Sequence, residues 1–126
     1  MSTVALVVDD SMLIRFTVCR FLEERGFRVE SASNGAEALQ ILERVQPGLV
    51  VTDLKMPTMS GSELITFLKA KPETASIPII IVSGHAGRDS EARADFAIYK
   101  DIDIESQLEK AISTVLAKAK AKPAAG

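Results

Sequence analysis

Val4-Ala5-Leu6-Val7-Val8-Asp9-Asp10-Ser11 is the stretch that decides the fold. A short, almost uninterrupted apolar run suits a strand covered on both faces, and the two aspartates mark where that strand meets water. The pattern then becomes helical. Ile14, Val18, Phe21 and Leu22 fall at i, i+4, i+7 and i+8, behind Ser11 as an N-cap and ahead of Gly26 as a stop. A strand, an acidic turn and an amphipathic helix make one βα unit.

The same alternation repeats along the chain. Further apolar runs occupy Phe27–Ala32, Leu49–Thr52, Ile77–Val82 and, more weakly, Phe96–Tyr99. Between them Ala38, Leu42 and Val45 form a helical stripe that Pro47-Gly48 ends, and Ser60 with Glu63 forms a capping box ahead of Leu64, Phe67 and Leu68. The last stripe is Ile104, Leu108, Ala111, Ile112, Val115 and Leu116, with Asp103 as its cap. Ala117 to Gly126 holds small residues, lysines and Pro123, which predicts a domain over residues 1–119 and a short flexible tail over 120–126. Five βα units predict an α/β fold, an open parallel sheet with helices on both faces and right-handed crossovers. In such sheets the chemistry sits at the carboxyl ends of the strands.

Composition narrows the function classes. The 126 residues suit one domain, and 47% apolar with 25% charged residues is the balance of an ordinary globular protein. A formal charge of −2 offers no global field for nucleic acid or anionic membrane. The single cysteine, Cys19, excludes a disulfide framework and any multi-cysteine metal site, and fits a reducing compartment. Apolar runs such as Ile79–Val82 are too short to span a bilayer, and Val4–Val8 lacks the basic flank of a signal peptide. These features predict a soluble cytoplasmic domain with no direct nucleic-acid or membrane partner.

The strand ends carry the informative residues: Asp9-Asp10 after the first run, Asp53 after the third, Ser83 after the fourth and Lys100 after the fifth. Singly, each has an ordinary reading as a turn former, a helix cap or a solvated charge. The fold brings all of them to one edge of the sheet. Two carboxylates about 5 Å apart repel by roughly 3 kcal/mol at an effective dielectric near 20, so three in one pocket call for cations among them. Lys100 supplies one positive charge. Oxygen donors without imidazole or thiolate favour Mg²⁺ for the remainder. A metal, a carboxylate nucleophile, a hydroxyl and a lysine together suit phosphoryl transfer.

From residue 4 to about 117 the sequence resembles the receiver domain of bacterial response regulators. The resemblance rests on Val7-Val8-Asp9-Asp10-Ser11 with Arg15 following, on Ser33-Asn34-Gly35-Ala36-Glu37-Ala38-Leu39, and on Asp53-Leu54-Lys55-Met56-Pro57 with Ser60-Gly61-Ser62-Glu63-Leu64. It implies a doubly wound, flavodoxin-like (βα)5 fold with strand order 2-1-3-4-5. It further implies that Asp53 accepts a phosphoryl group from a sensor histidine kinase or phosphotransfer protein. Asp10, Asp53 and the Lys55 carbonyl would then ligate Mg²⁺, with Asp9 acting through water. Ser83 and Lys100 would bond the phosphoryl oxygens. The domain would be a phosphorelay switch that promotes only its own phosphorylation and dephosphorylation, acting on an unspecified downstream protein as a monomer or a phosphorylation-dependent dimer.

Several positions depart from the family. The 17 positions from Ser83 to Lys100 are fewer than usual, and Asp89–Asp95 has no side chain larger than alanine to bury, so the fourth helix is expected to be short, displaced or disordered. Asp101 follows Lys100 where the family usually has proline, which predicts a trans bond and a shifted lysine. Ala97 replaces the family's switch aromatic; Tyr99 shares its strand face, and Phe96 points the opposite way into packing. Lys55 and His85 flank the nucleophile at variable positions, with His85 read as an exposed loop residue. Two other functions compete: a phosphorylation-independent interaction module, and a phosphatase working through an aspartyl-phosphate. The phosphatase would need a second acid near Asp53, whereas Leu54-Lys55 follows it.

Overall fold

The computed structural model describes residues 3–56, 58–84, 93–100 and 103–121, the last four of these for backbone alone. In chain order the elements are β1 (Val4–Val8), α1 (Met12–Glu24), β2 (Arg28–Ala32), α2 (Gly35–Leu42), β3 (Leu49–Asp53), α3 (Gly61–Lys69), α4 (Pro72–Ala75), β4 (Ile79–Ser83), β5 (Phe96–Tyr99) and α5 (Ile104–Ala121). The strands form one sheet in the order β2-β1-β3-β4-β5, every pair parallel. This is the doubly wound order expected from the sequence.

Side chains alternate across each strand, and the apolar residues divide into two cores accordingly. On one face Ala5, Val7, Leu49, Val51, Ile80, Val82 and Ile98 pack under Val18, Phe21 and Leu22 of α1 and Leu108, Ala111, Ile112 and Val115 of α5. On the other, Leu6, Val8, Ala32, Val50, Ile79 and Ile81 pack under Ala38 and Ile41 of α2 and Leu64, Ile65 and Leu68 of α3. β3 and β4 are buried along their whole length, which is why their sequences read as continuous apolar runs rather than alternating ones.

The helix ends are set by side chains. Ser11 accepts from the Ile14 N–H, Asn34 from the Glu37 N–H, and Ser60 with Glu63 forms a reciprocal capping box. Asp103 accepts from the Glu105 N–H at 3.1 Å. Gly26, at φ +91°, lets the chain leave α1 while the Phe27 N–H returns to the Leu22 carbonyl.

Two details differ from the sequence reading. The short helix α4 stands before β4, where proline-initiated Pro72–Ala75 is stapled to α3 by the Thr74 hydroxyl donating to the Leu68 carbonyl at 2.6 Å. Of the segment expected to form a shortened helix after β4, Asp89–Ala92 lies outside the described residues, as do His85, Pro57 and Asp101, while Arg93–Asp95 forms a turn and bends. At the carboxyl end, α5 runs on through Ala121, past the boundary drawn at residue 119, because alanine and lysine are good helix formers. Among the described residues no helix is long and apolar enough to cross a membrane.

The capping box at the start of α3 is expected to matter measurably. Ser60→Ala should lower stability by about 1 kcal/mol in urea titration, the usual effect of removing an N-cap hydroxyl, and Glu63→Ala should lower it by less.

Candidate functional site

The last residue of β3 is Asp53, and Asp9-Asp10 follows β1 directly, so the parallel pairing of β1 with β3 places their carboxyl ends side by side. Carboxylate oxygens from Asp9, Asp10 and Asp53 all lie within 4.8 Å of one another. Asp9 and Asp53 are buried, and Asp10 is exposed. Lys100 enters from the end of β5. Its Nζ donates to Asp53 Oδ2 at 3.0 Å and sits 3.3 Å from Asp9 Oδ2. Lys100 therefore reaches the site despite the residue that follows it, and the shift expected of it is not seen. The lysine backbone explains this, because its N–H donates to the Ser83 carbonyl at 2.8 Å and keeps the end of β5 against β4.

The acidic loop after β1 is held by the main chain and by Arg15. Asp9 Oδ1 accepts from the Ser11 N–H at 2.8 Å, and Arg15 Nη1 donates to the Asp9 carbonyl at 2.6 Å. The other Asp9 oxygen, Oδ2, is buried with no hydrogen-bond partner, although Lys100 is within ion-pairing distance. A buried carboxylate oxygen in that state is poised for a further positive partner.

After β3 the chain turns tightly into α3. The Lys55 N–H lies 3.4 Å from Asp53 Oδ1, and the Gly61 N–H donates to the Leu54 carbonyl at 2.8 Å. Any Cβ on Gly61 would run into the Asp53 carbonyl, so only glycine permits this approach. Thr58 lies in the left-handed region at φ 74°, which costs a β-branched residue roughly 1–2 kcal/mol and shows how closely the turn is constrained.

Ser83 ends β4 and is buried. The register pairs Asp53 with Val82, so Ser83 stands one residue beyond the partner of Asp53, at the same edge. Thr52, fully buried, belongs to the strand interior, its hydroxyl donating to the Asp53 carbonyl at 2.9 Å. Lys55 has an exposed side chain. The structure thus gathers Asp9, Asp10, Asp53 and Lys100 in direct proximity and sets Ser83 and Lys55 beside them. Arg15 stood in the sequence pattern without a role, and Gln107, which contacts the Tyr99 backbone, was missed. Gln107 breaks the apolar stripe of α5, three residues after Ile104, and that interruption was the available signal.

Burial pushes the Asp53 carboxyl above its ordinary value, with Asp10 adding to the rise and Lys100 opposing it. Burial also raises Asp9, against the Ser11 N–H and Lys100, with Asp53 contributing to the rise. For Lys100 burial acts downward, but the Asp53 and Asp9 carboxylates outweigh it and hold the ammonium above its usual range. Among the described residues the site brings three carboxylates together with the Lys100 ammonium.

A doubly wound parallel sheet with this acidic cluster and lysine at its carboxyl edge defines a class of phosphoacceptor switch domains. The profile of the response regulator receiver domain matches residues 5–118, and the chain belongs to that family, which serves two-component signalling. A protein-glutamate methylesterase/protein-glutamine glutaminase of Treponema denticola is 38% identical over 92 residues, a match covering 71% of this chain and 24% of that protein. The match thus spans only about a quarter of that relative's length. The receiver domain of a signal transduction histidine kinase from Syntrophus aciditrophicus is 28% identical with a TM-score of 0.81, covering 99% of this chain and 98% of its own. The chemotaxis response regulator CheY4 of Vibrio cholerae is 25% identical with a TM-score of 0.82, covering 91% and 99%. Receiver domains bind Mg²⁺ in an acidic active site, and this chain has the aspartate cluster that such a site requires.

Raised carboxyl pKa values have a definite sign in stability. A carboxylate whose folded pKa exceeds its unfolded value contributes stability that is complete below the unfolded value of about 3.8 and is lost as pH rises through the folded one. Lys100, raised, keeps its own contribution until the pH climbs above the ordinary lysine range. In chelator, Asp9→Asn should therefore exceed the wild type in urea midpoint at pH 7.5, and the gap should narrow toward pH 4.5. An Asp9→Asn protein less stable than wild type at pH 7.5 would contradict this account.

Proposed function

We propose that the domain accepts a phosphoryl group on Asp53 from the phosphohistidine of a sensor kinase or phosphotransfer protein, and that the modified site alters contacts with a downstream protein. The observation that carries this reading is the pairing of Lys100 with two buried carboxylates beside a third. Among the described residues such a pocket sets the Lys100 ammonium and the Ser83 hydroxyl at the edge where phosphoryl oxygens would lie.

In this reading Asp10, Asp53 and the Lys55 carbonyl would hold Mg²⁺, and Asp9 would act through water. The donor set fits. Among the described residues, three carboxylates within 4.8 Å, one with a buried oxygen that accepts no hydrogen bond and none accompanied by imidazole or thiolate, suit a hard cation. When bound, the ion neutralises charge that builds on the transferring phosphoryl oxygens.

The residues of the chain do the rest. A carboxylate oxygen of Asp53 attacks phosphorus while the phosphorus–nitrogen bond to the donor imidazole breaks, and the imidazole leaves. Lys100, already bonded to Asp53 Oδ2, moves its ammonium onto a phosphoryl oxygen as the carboxylate charge becomes an acyl phosphate. Ser83 offers its hydroxyl to another. Gly84 leaves room beside the group, since a Cβ there would meet none of the described atoms. Hydrolysis of the acyl phosphate resets the domain, so each cycle consumes one phosphoryl equivalent and the domain is a switch, not a turnover enzyme.

Acetyl phosphate with Mg²⁺ should add one labile phosphoryl group per chain by intact mass, none with chelator, and none in Asp53→Asn. Sustained turnover of a generic phosphoester, or labelling that survives Asp53→Asn, would overturn the reading. Millimolar Mg²⁺ should raise the melting temperature of the wild type, and Asp10→Asn should blunt that rise. A melting temperature indifferent to the ion would count against the metal site.

A further inference from the structure

Among the described residues β5 is the last strand of the sheet and pairs with β4 alone, so no described strand meets its outer edge. The backbone polar groups of successive strand residues turn to opposite sides. The Lys100 N–H turns inward and donates to the Ser83 carbonyl at 2.8 Å. Those of Tyr99 turn outward, and there the Gln107 side chain stands where a sixth strand would. The Tyr99 N–H donates to Gln107 Oε1 at 2.9 Å, and Gln107 Nε2 donates to the Tyr99 carbonyl at 2.8 Å. One planar amide thus pairs both groups of one residue, as a strand partner does.

The amide is itself well anchored. Gln107 Nε2 also lies 3.2 Å from the Asp103 carbonyl, and the Asp103 carboxylate takes the Ser106 hydroxyl at 2.9 Å. One residue further on, Leu108 is buried in the core under which β5 places Ile98. Gln107 therefore joins the end of β5 to the seated first turns of α5, immediately before the residue whose ammonium reaches Asp53 and Asp9.

We infer that Gln107 is the positioning residue for Lys100. A lysine stem has four rotatable bonds, so its ammonium occupies a set place only if the backbone that launches it is fixed. Ser83 fixes that backbone from inside the sheet and Gln107 from outside. The family's usual proline is absent after Lys100, and the side-chain latch performs the bracing. The inference builds on the reading of Lys100 as a phosphoacceptor-site residue, but its primary test requires no phosphorylation.

That test is the NMR signal of the Lys100 ε-methylene protons in the metal-free domain, assigned with Lys100→Met. A held lysine gives two resolved proton shifts and a mobile one gives a single averaged shift. The wild type should show two, Gln107→Ala one, and Gln107→Glu, which keeps the acceptor and loses the donor, partial averaging. Gln46→Ala removes a comparable bond, Nε2 to the Glu73 carbonyl at 2.8 Å, far from the site, and should leave the Lys100 pair resolved. Phosphorylation by acetyl phosphate should slow roughly tenfold in Gln107→Ala, as expected for a misplaced catalytic group, and Gln107→Ala should add nothing on top of Lys100→Met. Averaged shifts already in the wild type would overturn the inference, as would a resolved pair in Gln107→Ala or, should that variant not fold, an unaltered pair in Gln107→Glu. Failure of the wild type to take phosphate on Asp53 would instead remove the proposed function and leave the proton shifts to decide the role of Gln107.

Discussion

One ammonium set between two buried carboxylates is the interaction on which the architecture turns. Lys100 must travel from the sheet's edge strand to the ends of β1 and β3, and it does so because β4 alone separates β5 from β3. Burial makes the charged forms of Asp9 and Asp53 costly, and Lys100 offsets only part of that cost. A domain selected for stability alone would replace such a pocket with apolar side chains. Its retention at the carboxyl edge of an otherwise apolar sheet marks it as the place where the molecule exchanges stability for chemistry.

The surroundings hold this pocket in shape. Arg15 grips the Asp9 carbonyl, the Ser11 N–H grips its carboxylate, and the close packing of Gly61 against Asp53 fixes the start of α3 relative to the end of β3. Beyond the segment that follows Gly84, the chain is re-anchored before it enters β5. Arg93 donates to the Thr66 hydroxyl at 2.6 Å and to the Ser62 carbonyl at 3.2 Å on α3, and the Asp95 carboxylate accepts the Ile79 N–H at 2.8 Å. The end of the β4–β5 connection that leads into β5 is thereby tied to α3 and to the start of β4.

The fold was legible because burial on both faces leaves a plain mark in composition. Val4–Val8 and Phe96–Tyr99 match the observed strands residue for residue, and Leu49–Thr52 falls one residue short at Asp53. Ser11, Ser60 and Asp103 are legible as caps because the hydroxyl or carboxylate serves a backbone N–H within its own turn. The acidic cluster and Lys100 were legible for another reason, since parallel topology converts positions at strand ends into neighbours in space. What escaped was interaction across the chain that leaves no local pattern. Pro72–Ala75 is too short for any periodicity, and Gln107 serves a backbone eight residues earlier. The absent proline pointed to a trans bond and a shifted lysine, whereas the amide that holds the strand end lies on the next helix and leaves no mark beside Lys100.

That compensation bears on how this receiver domain differs from a generic one. Phe96 packs into the core shared by α1 and α5, whereas Ala97 faces the core under α2 and α3. Position 97 itself carries only a methyl group, and the large side chain on that face of β5 is Tyr99, two residues on. The outer edge of β5 is instead occupied by the Gln107 amide, which ties the strand to α5 through hydrogen bonds to Tyr99. A displacement of Lys100 toward a phosphoryl group on Asp53 would pull on the Tyr99 backbone and hence on the first turn of α5. Hydrogen bonds to the N–H and carbonyl of one residue are directional and short-ranged, so such a pull would change the latch abruptly rather than by gradual strain. In the proposed switch such a pull would run along β5 into the start of α5.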